Sequence, residues 1–399
     1  MIPCRSPLAL ALIALLACEG TSNSGDGFTG LDPINTTVAA GDAHNCVIDG
    51  SGLAVCWGRG SEGQLGGDST PAKAGPALVS GQNSFTALVA GKYHTCGLTL
   101  QGTALCWGLD QNGQLGGGNA ATGDCGGSPC ATSPAPVAGN IVFTTLAASG
   151  QQTCGLTADG SAWCWGLSDF GQLGAPAPEN CPDGPCSRAP VAVSGGHHFA
   201  RISVSGSGHA CGLTDDGQAW CWGINHQGQL GADSVIEYVE EPLPVAGGLR
   251  FRQVSAGGLH TCGLTGDGTP WCWGIDVLPL LNAGDLKYYV PNRVNTSLKF
   301  EMIESARVSE CGLTAAGDPY CWGVNGSGEV GTMPIGSTFR FDTPVAVGSA
   351  VEFSQIWGET ATYCGNSTSG GVYCWGQGTR GELGAGATNS IVPLRVPGT

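Results

Sequence analysis

Residues 154–166 read Cys154-Gly155-Leu156-Thr157-Ala158-Asp159-Gly160-Ser161-Ala162-Trp163-Cys164-Trp165-Gly166. The same frame, two cysteines with nine residues between them and Trp-Gly after the second, recurs seven times. The first cysteines are Cys46, Cys96, Cys154, Cys211, Cys262, Cys311 and Cys364, and the second are Cys56, Cys106, Cys164, Cys221, Cys272, Cys321 and Cys374. A repeat of about 50 residues signals a propeller or solenoid.

Reading outward from the middle of the frame, Cys154 faces Cys164 and Leu156 faces Ala162, which leaves Ala158-Asp159-Gly160 as a three-residue hairpin loop. Such a loop needs positive φ at its last position, which glycine adopts at little cost. The chain supplies it each time, as Gly52, Gly102, Gly160, Gly217, Gly268, Gly317 and Gly370. With the register set by the turn, each cysteine pair sits cross-strand at disulfide distance. A strand before each hairpin (Leu88-Val89-Ala90) and a Pro-x-x-Val segment after it (Pro76 to Val79) make four strands per unit. The proline places that last strand at an exposed edge. Between hairpin and edge strand lies Gly-Gln-Leu-Gly at 63–66, 113–116, 171–174 and 228–231, relaxed to Gly-Glu-Val-Gly at 328–331 and Gly-Glu-Leu-Gly at 381–384, and lost from repeat five.

Gly-x-x-His before the first cysteine, Trp-Gly after the second and then Gly-Gln-Leu-Gly together resemble the repeat of the regulator of chromosome condensation family, over residues 37–399. The resemblance implies an all-β, seven-bladed propeller of four-stranded antiparallel blades. The departure is the cysteine pair in every hairpin, which intracellular members would not keep as disulfides and which makes this chain an exported relative. Whether the ring closes by mixing strands from the two termini is open at this stage.

Residues 1–17 read as a lipoprotein signal peptide, with Arg5, an apolar stretch from Leu8 to Leu16 too short to span a bilayer, and Ala17 before Cys18. Residues 18–36 read as a flexible tether. Of 20 cysteines, 14 lie in hairpins, Cys125, Cys130, Cys181 and Cys186 form two Cys-x4-Cys loops, and cleavage removes Cys4. The odd cysteine is then Cys18, where a lipid would be attached. The expected location is the outer membrane or cell surface, with a simple secreted protein as the alternative. The net charge is −16, and losing Arg5 makes the mature chain one unit more negative. Such a surface, with no basic run, argues against nucleic acid as a partner. Guanine-nucleotide exchange is set aside too, because an exported protein would not meet a nuclear small GTPase.

His44, His94, His209 and His260 recur at one place, each with a glycine three residues earlier (Gly41, Gly91, Gly206, Gly257), which reads as a turn in which the imidazole bonds its own loop. Sites on adjacent blades stand about 10 Å apart, too far to share zinc. The recurring Trp57, Trp107, Trp165, Trp222, Trp273, Trp322 and Trp375 read as inter-blade core, as do Trp163, Trp220 and Trp271. His197 and His198 read as surface histidines without a partner.

Recognition in repeat folds concentrates where repeats differ. The loops holding Cys125-x4-Cys130 and Cys181-x4-Cys186 occupy matching places in blades two and three and should stand side by side. Local disulfides are favoured there over a four-cysteine zinc site. Blades four to six carry Glu237-Tyr238-Val239-Glu240-Glu241, Lys287-Tyr288-Tyr289 and Phe339-Arg340-Phe341 at the same place. From these, Tyr238, Glu240, Tyr288, Tyr289, Phe339, Arg340 and Phe341 are the candidate partner-binding residues. No catalytic constellation, metal set or cofactor motif is present in the sequence, so an enzyme is not expected. The function expected is a lipid-anchored protein-binding module. One alternative is an inhibitor of a periplasmic or extracellular enzyme, as in β-lactamase inhibitory protein II, a secreted propeller of the same family. The other is a polysaccharide-binding or carbohydrate-active protein, which would need Glu237, Glu240 and Glu241 to line a groove.

Overall fold

A computed structural model describes residues 37–67, 72–118, 123–275 and 287–399 of the chain, without the side chains of 72–74, 287, 288, 337 and 338. Cys18, the signal segment and the tether lie outside the described residues. The strands form seven separate antiparallel sheets, in five of which neighbours in space are neighbours in sequence. Blade one, for example, orders Val38–Ala40, His44–Ile48, Ala54–Arg59 and Ala72–Leu78 from its innermost strand to its edge.

Five blades have the expected four strands, while blades two and three have five, because each Cys-x4-Cys loop folds into a short hairpin on the outer edge. These added strands are Gly123–Asp124, pairing with Pro129–Pro136, and Glu179–Cys181, pairing with Gly184–Ala192. The seven frame hairpins have the register read from the turn: Cys154 lies opposite Cys164 and Leu156 opposite Ala162. Their Cα atoms stand 4.0–4.1 Å apart and all seven pairs are disulfides.

The core sits between blades. One cluster joins the Cys46–Cys56 staple, Leu65 and Val79 of blade one to Phe85, Leu88 and Trp107 of blade two, and the same combination repeats around the ring. All seven Trp-Gly tryptophans are fully buried. Trp163, Trp220 and Trp271 are half-buried against these clusters. A phenylalanine ahead of six innermost strands packs beside the tryptophan of its own blade, as Phe85 does on Trp107 with ring centroids 5.7 Å apart. It fits because Gly97 lies beneath it, where a Cβ would come within 2.4 Å of the ring.

The recurring motifs meet across blade boundaries. Trp107 Nε1 donates to the carbonyl of Gln64 at 2.9 Å, and Trp165, Trp222, Trp273 and Trp375 repeat this bond with Gln114, Gln172, Gln229 and Glu329. The last glycine of Gly-Gln-Leu-Gly lets the loop approach: at Gly66, φ is +66° and a Cβ would stand 2.9 Å from Trp107 Nε1. The glutamine side-chain oxygen accepts a backbone N–H two residues back (Asn112 N to Gln114 Oε1, 2.8 Å), while the Gln114 and Gln229 amide nitrogens have no partner. The acceptor is the part every repeat uses, since the Gln64 and Gln172 amides donate only to the neighbouring carboxylates of Glu62 and Asp169, at 2.9 and 2.7 Å, and glutamate substitutes in blades six and seven; Glu382 takes the Arg380 N–H at 2.6 Å. Burial pushes the Glu329 and Glu382 carboxyls up.

Among the described residues the ring closes without strand exchange. Blade seven is built from Phe353–Glu359, Thr362–Ser367, Val372–Gln377 and Asn389–Arg395. It meets blade one through the ordinary seam: Asn45 Nδ2 and Trp57 Nε1 both donate to the Glu382 carbonyl, at 2.7 and 2.8 Å.

Candidate functional site

The histidines prove to be seam residues of a different kind from a loop cap. Three imidazoles, His44, His94 and His260, do pack on their turns, where a Cβ at Gly41 would come within 2.4 Å of His44. The imidazole hydrogen bond, however, leaves the blade: His44 Nε2 meets Thr95 Oγ1 at 2.8 Å, His94 meets Thr153 at 2.8 Å and His209 meets Thr261 at 2.9 Å. Each threonine donates onward to the Gln-Leu carbonyl that also takes the tryptophan, as Thr95 does to Gln64 at 3.0 Å. Burial drives His44 down to about 4 and His94 and His209 to about 3, so they are neutral at physiological pH. The fourth, His260, contacts Glu310, which stands where the threonine should be. His260, Cys262 and Glu310 form the one metal-like cluster among the described residues, but Cys262 is bonded to Cys272 and offers no thiolate.

Because His44 lies opposite Gly58, the turn after each innermost strand and the loop after each Trp-Gly emerge at the same end of the ring. All the insertions therefore share one face. On blades two and three the cysteines form two local disulfides, Cys125–Cys130 and Cys181–Cys186, each with Cα atoms 5.8 Å apart. The blade-three hairpin reaches back over blade two: Asn112 Nδ2 donates to Asp183 Oδ2 at 2.7 Å and Gly118 N to the Arg188 carbonyl at 2.8 Å. Arg188 is in turn held by Glu179 at 2.6 Å.

On blades four to six the candidate set divides. Tyr238, Glu240 and Phe339 are exposed. Tyr289 and Arg340 are half-buried, Arg340 pairing with Asp342 at 3.3 Å, and Phe341 turns inward onto the blade-six core. Tyr288 lies in the outer strand Lys287–Arg293, with its side chain outside the description. Four further apolar residues on the same loops were not singled out by sequence: Val235 and Ile236 in blade four, Met333 and Ile335 in blade six. With Tyr238 and Phe339 they are 39–81% exposed. Their signal was an apolar pair inside an otherwise polar insertion, unlike the regular frame. The blade-four loop is braced on blade five by Asp233 N donating to the Tyr289 carbonyl at 2.9 Å. Glu237, Glu240 and Glu241 are all exposed, and none lines the central cavity or its mouth.

His197 and His198 both have partners. His197 stacks on Trp220 with centroids 3.9 Å apart, and burial lowers its pKa; His198 Nδ1 meets the Asp159 carbonyl at 2.6 Å on the opposite face. The innermost strands enclose a central cavity of about 170 Å³, lined by residues of all seven blades. No helix among the described residues is long and apolar enough to cross a membrane.

A profile of the regulator of chromosome condensation (RCC1) repeat matches residues 36–64, 85–114, 143–172 and 199–229, and a longer form matches 159–213 and 216–264. The chain belongs to the RCC1-repeat family. No curated protein matches it by sequence. Among solved structures, this RCC1-repeat chain resembles yeast RCC1 (Prp20), solved bound to Kap60, with a TM-score of 0.74 at 19% identity over 98% of this chain and 92% of that one. It resembles human WBSCR16 with a TM-score of 0.71 at 18% identity, over 83% and 85% of the two chains. The ectodomain of the Physcomitrella patens receptor kinase CR4 gives 0.54 at 19% identity, over 86% and 72%. At these identities the likeness shows the fold.

Proposed function

We propose that this chain is an extracytoplasmic, lipid-anchored propeller that binds a protein partner through the loops of blades four to six. The observation that carries the reading is the set of exposed apolar side chains, Val235, Ile236, Tyr238, Met333, Ile335 and Phe339, on the face that also bears both disulfide-pinned hairpins. Exposed apolar groups concentrated on one face mark interaction sites, and loops held rigid lose less entropy on binding. Similar folds are used this way. Yeast RCC1 (Prp20) was solved with Kap60 and was also studied for its binding to Gsp1p and histones. Nine disulfides support an oxidising compartment. The anchor rests on Leu15-Leu16-Ala17-Cys18, and the acidic surface favours a partner other than nucleic acid.

The test is affinity capture with the oxidised chain from Glu19 onward, against envelope and secreted fractions of the source cell. The double variant Ile236→Asp, Phe339→Asp serves as control. One protein retained by the parent and lost by the variant supports the reading, and if that protein is an enzyme whose activity falls on binding, the partner is an inhibited one. Retention of polysaccharide alone, or equal retention by the variant, refutes it.

A further inference from the structure

Seven repeats show which residues the fold requires at a position, so a residue that breaks the pattern in the channel calls for another reason. Opposite the first cysteine of each blade stand Ala39, Val89, Ala147, Ser203 and Ser255, and then Glu304 and Trp357. Five residues before that cysteine stand Gly41, Gly91, Ser149, Gly206, Gly257 and Ala306, and then Glu359. Both glutamates line the central cavity, and Glu359 also lines the chamber of about 250 Å³ at its mouth on the loop face. Glu359 spans the channel: from blade seven its carboxylate receives Ser149 Oγ of blade three at 3.0 and 3.1 Å. It also lies against Gly206 of blade four, where a Cβ would be 3.0 Å from Oε1.

Two carboxylates in a closed space cost free energy unless a cation offsets them. Neither has an ion pair among the described residues. Burial raises both to about 8, and the charges acting on them, Glu359 on Glu304 and Asp42 on Glu359, are acidic and push the same way. The other charged groups lining the two spaces are Arg201 in the cavity, which has a partner of its own, and Lys92 and Arg307 at the mouth. A second observation points to a missing occupant. Thr145 and Ser305, 6% and 5% exposed, line the same cavity and their hydroxyls have no partner. Leu88, Leu146, Val254 and Met302 supply an aliphatic wall.

We propose that the channel is a binding pocket for a small primary amine, its ammonium held by Glu304 and Glu359 and its carbon body against the aliphatic wall. An ammonium carries three N–H donors, which matches two carboxylates and a hydroxyl. Binding draws the carboxyl pair towards its ionised form, and the displaced proton passes to the buffer.

The test uses n-butylamine on the oxidised mature chain at pH 7, followed by thermal unfolding and by calorimetry in two buffers of different ionisation enthalpy. The expected result is a rise in Tm with amine, heats that differ between buffers, and affinity at least tenfold weaker in Glu304→Gln and in Glu359→Gln. Both variants replace a carboxyl that holds its proton in the fold at pH 7 with a neutral amide of the same size and should fold. Should one not, Thr145→Val is the substitute, with affinity several-fold weaker. No shift at tens of millimolar butylamine, an equal shift with butanol, or undiminished binding by the folded variants overturns the proposal.

Discussion

The seam between blades one and two and the seam between blades five and six perform the same task with different chemistry. In the first, Trp107 Nε1 and Thr95 Oγ1 converge on the Gln64 carbonyl and His44 bonds the threonine. In the second, repeat five lacks Gly-Gln-Leu-Gly, Glu310 replaces the threonine against His260, and Trp322 Nε1 is buried without a partner among the described residues. Glu310 pairs in register with Trp322 as Thr95 does with Trp107. The difference teaches that the histidine's partner goes with the motif: where Gly-Gln-Leu-Gly is missing from the sequence, Glu310 meets His260 in place of a threonine.

The largest effect should come from removing that carboxylate. Glu310→Ala leaves His260 buried and unpaired and should lower unfolding free energy by about 3–5 kcal/mol. Thr95→Ala should cost about 1–3 kcal/mol. Urea denaturation of the oxidised proteins decides, and equal costs would erase the distinction between the seams.

A smaller effect separates the two tryptophans. Trp107→Phe removes one of the two donors on the Gln64 carbonyl and should cost about 0.5–1.5 kcal/mol more than Trp322→Phe, which breaks no hydrogen bond among the described residues. The same denaturation series reads it.

The smallest test is pH. His44, His94 and His209 stay neutral in the fold until about pH 4 to 3 but protonate near 6.5 when unfolded, so stability falls as pH drops below 6.5. Glu304 and Glu359 hold protons to about pH 8 in the fold but ionise near 4.5 when unfolded, so their contribution falls as pH rises from 4.5 through 8. His94→Gln, the residue blade three uses at Gln152, should flatten the acid limb, and Glu359→Gln the alkaline limb, in Tm measured from pH 3 to 9.

The hairpins and their staples were legible because register is a local property, set by a glycine three residues from each strand. The tryptophan core was legible because only a packing role recurs in every blade. The histidine partners were not: Thr95 lies 51 residues from His44, and nothing within one repeat marks a contact with the next. The recurring Phe85, Phe143, Phe199, Phe251, Phe300 and Phe353 were legible too, since each stands 11 residues before its first cysteine, or 12 in blade four. Glu304 and Glu359 look ordinary as isolated glutamates and stand out only when each blade is counted back from its first cysteine. Phe339 and Phe341, two residues apart, would share a side of a regular strand, so composition cannot separate them; the register shift between Gly336 and Arg340 breaks the alternation, and Phe341 packs against the core while Phe339 is exposed.

The central claim is that recognition lies on the irregular loops of blades four to six and not on the regular ring. Its most direct test places a photo-cross-linking residue at Phe339, or at Leu100, which is 80% exposed at a hairpin tip on the opposite face, in the protein expressed in its source cell. The account predicts a discrete protein adduct from position 339 and none from position 100. Adducts of equal yield from both, or from position 100 alone, would contradict it.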